Sequence, residues 1–334
     1  MLNFSKIMFS MIMILGTLLT MSAESWMGMW MGLELNMVAF IPLIYKEKMN
    51  STYESCMIYF LIQSMGSIIM LMSILMNSFF ILSPYMGESM LSSTVILSMM
   101  VKMGAPPFHF WFPEIMEKMS WPSCFILMTW QKVAPMYILS CVINMNETMM
   151  FLLILIMVLT GSLGGLNQTS IRKIMSYSSM DHMGWMIACM KFSNNMWMIY
   201  FLIYSLILST IVFSFWFYSA YYMNQYSNKS LSFMEKLMII IAFLSLGGLP
   251  PFLGFIPKLI VIQLTMLYES YFISTVLVLT TLITLFYYLR LIGSIFLINN
   301  STVKWNAYIS MNNVPMAFII TVNSLFPVIA IFWF

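Results

Sequence analysis

Charge is what this sequence has least of. Only 7% of its 334 residues are Asp, Glu, Lys or Arg, against about 25% in soluble domains. Fourteen basic and eleven acidic side chains cannot cover a folded chain of this length against water, so a water-soluble globular protein is excluded. The net charge of +3 is small and scattered, which excludes a nucleic-acid footprint. Cysteine is scarce as well. Cys56, Cys124, Cys141 and Cys189 form no C-x-x-C pair, so zinc and iron–sulfur ligation have no signature here. These cysteines are expected to be small buried apolar residues. The Gly-x-Gly-x-x-Gly fingerprint of dinucleotide binding is absent from the sequence. Lys6 is followed directly by an apolar stretch, with no Arg-rich presequence or small-residue cleavage site, so no cleavable leader is expected.

What is abundant is apolar: 61% hydrophobic and 16% aromatic residues, with a mean hydropathy of +0.91. Forty-one methionines fit the animal mitochondrial code, in which an isoleucine codon is read as Met. About 20 apolar residues make a helix long enough to cross the hydrocarbon core. Such runs fall at 5–23, 25–45, 55–77, 89–113, 121–143, 148–168, 174–191, 195–222, 236–265, 270–298 and 314–334. The expected fold is an all-α integral membrane protein of about eleven transmembrane helices, forming one membrane domain over 1–334. If all eleven cross, Lys6, Lys46, Lys48, Lys118, Arg172, Lys173, Lys229, Lys236 and Lys304 share one side. Lys191 lies opposite, with Glu24, Glu88, Glu147 and Glu269. The positive-inside rule then puts the N-terminus on the positive side and the C-terminus across the membrane.

Some charges remain within the spans: Lys102, Lys132, Lys258, Arg290, Glu34 and Asp181. A charge at a helix centre costs about 2.5–3.5 kcal/mol even on a lenient scale. Arg290 is near enough to a helix end to snorkel; Glu34, Lys102 and Lys132 are close to mid-span. One reading is a structural ion pair, such as Glu34 with Lys102. The other starts from the surplus of deep lysines over deep acids: a desolvated lysine without a full partner exchanges protons readily, and a row of them makes a proton relay. His109 and His182 are either packed, hydrogen-bonded residues or further relay members. Asp181 and His182 are adjacent, so they face different sides of a helix.

Residues 104–113, Gly-Ala-Pro-Pro-Phe-His-Phe-Trp-Phe-Pro, match residues 248–257, Gly-Leu-Pro-Pro-Phe-Leu-Gly-Phe-Ile-Pro, at a constant offset. Pro-Pro breaks a helix, and a break at membrane depth survives only where protein or water satisfies the freed backbone. The copies lie in the fourth and ninth expected spans. An odd separation makes them run in opposite directions, the pattern of inverted repeats in secondary transporters. Repeat one is expected over about 5–143, repeat two over about 148–298, and a C-terminal helix over about 314–334. Lys102 lies just before the first break and Lys258 just after the second.

The segment Ser98–Pro113, with Lys102 and His109, resembles a broken helix of the antiporter-like subunits of respiratory complex I. Thr129-Trp-Gln-Lys132-Val-Ala-Pro135 resembles the lysine segment that follows it. Gly165–Trp185 is similar to that family's Arg-Lys…Tyr-Ser-Ser-x-x-His-x-Gly signature, and Leu246–Lys258 to its second broken helix. The resemblance covers essentially the whole chain, and its Gln-Thr-x-x-Arg-Lys version, with the methionine usage, points to an invertebrate mitochondrial member.

The resemblance implies a glutamate–lysine pair in Glu34 and Lys102, a connecting lysine in Lys132 and the lysine of a second half-channel in Lys258. It places His109 and His182 along the same hydrophilic axis. It further implies a complex that oxidises NADH, reduces ubiquinone and pumps protons, with NADH, FMN, iron–sulfur clusters and ubiquinone held by partner subunits. The expected location is the mitochondrial inner membrane, N-terminus in the matrix and C-terminus in the intermembrane space. Bacterial relatives carry about three further N-terminal helices, which leaves a groove for small accessory subunits beside neighbouring antiporter-like chains. The sequence departs from the pattern at Ser170, where wider relatives have Asp, and at Asp181. An autonomous cation/proton antiporter and a purely structural membrane-arm subunit share the same features.

Overall fold

The computed structural model describes residues 4–45, 50–79, 84–143, 147–223, 225, 232–297, 311 and 313–324. Lys46, Lys48, Lys229 and Lys304, used above to orient the chain, lie outside the described residues, as do residues 325–334 of the expected last span. Among the described residues the fold is all-α: α1 (Phe4–Ser22), α2 (Trp26–Ile44), α3 (Asn50–Phe79), α4 (Pro84–Met103), α5 (Trp111–Lys118), α6 (Trp121–Met128), α7 (Trp130–Val142), α8 (Glu147–Gly164), α9 (Ile171–Phe192), α10 (Met196–Phe217), α11 (Phe233–Gly247), α12 (Phe255–Leu267), α13 (Tyr271–Leu297) and α14 (Asn313–Asn323). The chain forms two compact units, Met1–Leu153 and Ile154–Phe334, with α8 running across the boundary.

The outward faces are apolar. On α13, Leu279, Leu282, Phe286 and Leu289 form an exposed stripe at helical spacing, while Leu277, Thr280, Thr284, Tyr287 and Leu291 are buried. Water would make such a stripe a liability, whereas lipid is its natural solvent. Six helical segments are long and apolar enough to cross a membrane: Phe4–Ser22, Trp26–Ile44, Ser51–Met76, Trp121–Val142, Met196–Phe217 and Tyr271–Ile295. The other apolar helices among the described residues are shorter, and two of the expected long spans are interrupted. The segment 89–113 ends as α4 at Met103 and resumes as α5, and 236–265 is divided into α11 and α12.

Helices meet where side chains are small, as expected where lipid supplies no hydrophobic push between them. A Cβ on Gly32 would come within 2.5 Å of Thr20 Cγ2 and 2.8 Å of the Gly16 carbonyl, so α1 and α2 cross almost backbone to backbone. Gly161 brings α8 equally close to α9: a Cβ there would lie 2.6 Å from the Asp181 amide. Helix α9 is the exception to the apolar rule. It carries Ser176, Ser178, Ser179, Asp181 and His182, yet every residue from Ser178 to Met190 is buried. A helix covered on all sides by protein has no lipid face to keep apolar.

The span 121–143 holds as Trp121–Val142, with one irregular turn at Thr129 between α6 and α7. At Thr129 the ladder shortens, with Lys132 N–H donating to the Thr129 carbonyl at 3.0 Å. Pro135, inside α7, has no N–H for the Gln131 carbonyl four residues back, and its ring crowds that carbonyl. One expectation needs correction: not all four cysteines are buried. Cys124 and Cys189 are, but Cys56 is partly exposed and Cys141 lies on an outward face.

Candidate functional site

Both Pro-Pro motifs are breaks, and the two share one local geometry. Gly104 and Gly248 sit at φ +70° and +74°, left-handed values that a glycine adopts at no steric cost. Gly104 N–H donates to Val101 and Ala105 N–H to Met100; Gly248 donates to Ser245 and Leu249 to Leu244. Beyond the prolines, Phe108 donates to Ala105 and Phe112 to His109, as Phe252 donates to Leu249 and Ile256 to Leu253. Four backbone hydrogen bonds thus recur at the offset seen in the sequence. Pro113 and Pro257 each occupy the third position of the following helix, where no intrahelical N–H bond is lost.

In the first unit, Lys102 occupies the last turn of α4, where helix carbonyls favour a cation. Its stem crosses Gly66 of α3, where a Cβ would meet Lys102 Cγ at 2.8 Å. Gln63 Nε2 donates to the Lys102 carbonyl at 2.9 Å, satisfying backbone freed by the break. Glu34 on α2 is half-buried and interacts electrostatically with Lys102. No direct ion pair joins them among the described residues; the ion pairs found there are those of Lys118 with Glu54 and Glu114, at 2.9 and 3.0 Å. Lys132 is buried, its Nζ 5.0 Å from the centroid of Phe112. Phe112 itself packs on Gly104, so Lys102 precedes the first break and Lys132 faces it. Beside them runs a chain from Tyr59 Oη to Gln131 Oε1 (3.1 Å) and from Gln131 Nε2 to Asn36 Oδ1 (3.0 Å). His109 is half-buried inside the break, its ring 4.3 Å from that of Phe110, between the exposed Phe108 and Phe110.

In the second unit, Lys258 enters from the first turn of α12 and bends back. Its Nζ donates to the Gly247 carbonyl at 2.8 Å, at the C-terminal end of α11. The stem crosses Gly248, where a Cβ would lie 2.7 Å from Lys258 Cδ. The ammonium stands 5.7 Å from the Trp185 ring centroid and interacts electrostatically with Asp181. His182 Nδ1 shares a hydrogen bond of 2.9 Å with Tyr200 Oη, and its ring lies 4.8 Å from that of Tyr204. Tyr287 and Tyr288 of α13 are fully buried nearby and feel the Asp181 charge. Arg290 does not simply reach for the interface. Its guanidinium donates to the Leu166 carbonyl and, at 2.7 Å, to that of Gln168, tying α13 to the α8–α9 connection.

Each deep lysine therefore lies beside a helix break with a carboxylate near at least two of them. Sequence reasoning did not single out the surrounding polar groups Asn36, Tyr59, Gln63, Gln131, Tyr200, Tyr204, Tyr287 and Tyr288. For Gln63 and Gln131 a signal existed, since an amide within an apolar run is as anomalous as a charge. Residues 23–284 match the family described as NADH:quinone oxidoreductase/Mrp antiporter, TM. The chain belongs to that family. NADH-ubiquinone oxidoreductase chain 2 of Anopheles gambiae is 46% identical over 312 residues, covering 92% of this chain and 91% of the mosquito protein. The same chain from Locusta migratoria is 41% identical over 316 residues, 94% and 92% of the two chains.

Among solved structures, a chain of respiratory complex I from Thermus thermophilus superposes with a TM-score of 0.82 at 20% identity, over 96% of this chain and 76% of that one. A chain of the Mrp complex from Dietzia sp. gives 0.76 at 14% identity, over 86% and 60%. These likenesses establish the shared multi-span fold. Both insect relatives agree with the invertebrate member to which the Gln-Thr-x-x-Arg-Lys signature pointed. Among the described residues no group of three or more His, Cys, Asp or Glu side chains is placed to hold a metal ion.

Proposed function

We propose that this chain is a proton-translocating membrane-arm subunit of respiratory complex I in the mitochondrial inner membrane. NADH oxidation, on FMN and iron–sulfur clusters, and ubiquinone reduction take place in partner subunits, and their energy resets a buried relay in this one. Glu34 biases the charge state of Lys102, the proton passes by way of Lys132, and Lys258 hands it on; His109 and His182 flank the path. The chain crosses the bilayer eleven times as a single antiporter-like domain of two inverted five-helix repeats and a C-terminal helix, its N-terminus in the matrix. Neighbouring antiporter-like chains and small accessory subunits complete the arm.

One observation carries this reading: beside each of two helix breaks built on the same hydrogen-bond pattern, a buried lysine stem crosses a glycine, Lys102 against Gly66 of α3 and Lys258 against Gly248 of the break itself. A purely structural subunit has no need of an ammonium there. The test is Lys258→Met in the intact complex, with the proton-to-electron ratio measured during NADH oxidation. Loss of this chain's share of pumping with the complex still assembled on blue-native gels is the expected result. A normal ratio would sink the relay.

A further inference from the structure

The relay as proposed has an acidic partner for Lys102 but names none for Lys258, and Asp181 is a charge without a role. Asp181 is 1% exposed, and its Oδ1 has no hydrogen-bond partner among the described residues. A carboxylate oxygen left bare at this depth is costly unless a cation faces it. Helical spacing supplies the cation. Asp181 and Trp185 are four residues apart on α9 and so share a face, and the Lys258 ammonium stands over the Trp185 ring.

The other groups that face Asp181 cannot neutralise it. Helix α8 brings the Gly161 backbone close against the Asp181 amide. Helices α10 and α13 contribute the phenols of Tyr200, Tyr287 and Tyr288, all buried. His182 is adjacent on α9 but turns to Tyr200. Lys258 is the one cation coupled to Asp181 among the described residues. The two are not within ion-pair distance, because the ammonium is held by the Gly247 carbonyl at 2.8 Å.

We propose that Asp181 is the counter-anion of Lys258, a positioning residue that does for the second break what Glu34 does for the first. The carboxylate holds a proton on the lysine amine while the lysine rests on Gly247, and offers the ammonium a second resting place on the other side. This inference rests on the relay reading, and two measurements separate its failure from that of the relay.

In the intact complex, Asp181→Asn keeps the shape and removes the anion, so the lysine gives up its proton more easily. The alkaline limb of proton pumping against pH is expected to move down by about one pH unit, and Asp181→Glu to restore it. An unmoved profile in assembled Asp181→Asn complex overturns the pairing. The second measurement leaves Asp181 untouched. With Lys258→Met the anion loses its cation, so pH-difference infrared spectra should gain a protonated carboxyl band that is missing in the Asp181→Asn, Lys258→Met double variant. Absence of that band overturns the pairing even if Lys258→Met stops pumping. Presence of the band with normal pumping in Lys258→Met keeps the pair and overturns the relay.

Discussion

Gly248 and Lys258 occupy adjoining space so closely that no side chain fits at 248 while the lysine keeps its place: a Cβ on residue 248 would lie 2.7 Å from Lys258 Cδ and 3.1 Å from its Cε. Gly248→Ala also forces an L side chain into φ +74°, which costs about 1–2 kcal/mol. The lysine must leave the Gly247 carbonyl. We expect assembled complex with a lowered proton-to-electron ratio, measured as for Lys258→Met. Gly293→Ala is the control. Nothing lies within 4 Å of a Cβ there, and a helix-interior alanine should add up to about 1 kcal/mol.

Gly66→Ala tests the equivalent contact at Lys102. The intruding methyl would meet the flexible lysine stem at 2.8 Å, so the side chain gives way and the fold survives. Pumping should fall while the amount of complex on blue-native gels stays level. Gly254→Ala should do the reverse. Its Cβ would fall 1.7 Å from the Ser245 carbonyl oxygen, a backbone that cannot step aside, and assembled complex should be lost.

Asn323 of α14 closes the second break from outside. Its Oδ1 accepts from Ser245 Oγ at 2.6 Å, its Nδ2 donates to Thr210 Oγ1 at 3.2 Å, and its carbonyl accepts from Leu253 N–H at 3.1 Å. Asn323→Leu removes both side-chain bonds, at about 0.5–1.5 kcal/mol each, while Ser245 Oγ still donates to the Ala242 carbonyl and Thr210 Oγ1 to that of Ile207. Amide hydrogen exchange between Leu249 and Phe255 should rise, with exchange at the first break unchanged.

Glu235 lies in the first turn of α11, ahead of the apolar stretch. Burial pushes its carboxyl up, but hydrogen bonds from Met311 N–H and Ser232 N–H, both 2.8 Å, outweigh burial and hold it below the ordinary glutamate range. A depressed carboxyl contributes stability that is present above the unfolded value, about 4.3, and is lost as pH falls through the folded one. Acid should therefore release the chain around Met311 from α11. Glu235→Gln should weaken this tie at neutral pH and flatten its acid dependence, read by limited proteolysis before α14 at a series of pH values.

Lys118 tests whether the loop between α5 and α6 depends on its ion pairs. Hydrogen bonds to Glu54 and Glu114 raise its ammonium above the usual lysine value. The stabilisation is present below the unfolded value and is lost as pH rises through the folded one. Solvent screens this partly exposed cluster, so Lys118→Met should change assembly little, and adding salt should change it less still in the variant.

Much of this was readable because lipid imposes strict rules on a chain. Long apolar runs, scarce charge and a Gly-x-Pro-Pro repeat leave few alternatives, and the breaks at Gly104 and Gly248 fall where the repeat put them. Thr129 was harder to see. Pro135 was visible, but the carbonyl it leaves without an N–H is that of Gln131, and no residue type marked the turn at Thr129. The role of Arg290 was hidden for another reason: its partners are the carbonyls of Leu166 and Gln168, and a carbonyl leaves no mark in a side-chain sequence. Asp181 stood out as a charge and could not be placed, since its partner Lys258 is 77 positions away.

The amino-acid sequence by itself determined that this is an all-α membrane protein with two broken helices and deep lysines, because hydropathy and proline act locally, wherever the chain ends up. Which groups meet those lysines was decided only by tertiary structure. Lys102 lies within electrostatic range of Glu34, and its stem finds room where α3 carries Gly66. Asp181 faces Lys258 because Gly161 and Gly248 remove the atoms that would keep α8, α9 and the second break apart. Electrostatic coupling falls steeply with distance in a medium without water, and those distances are set by packing between helices far apart in the chain.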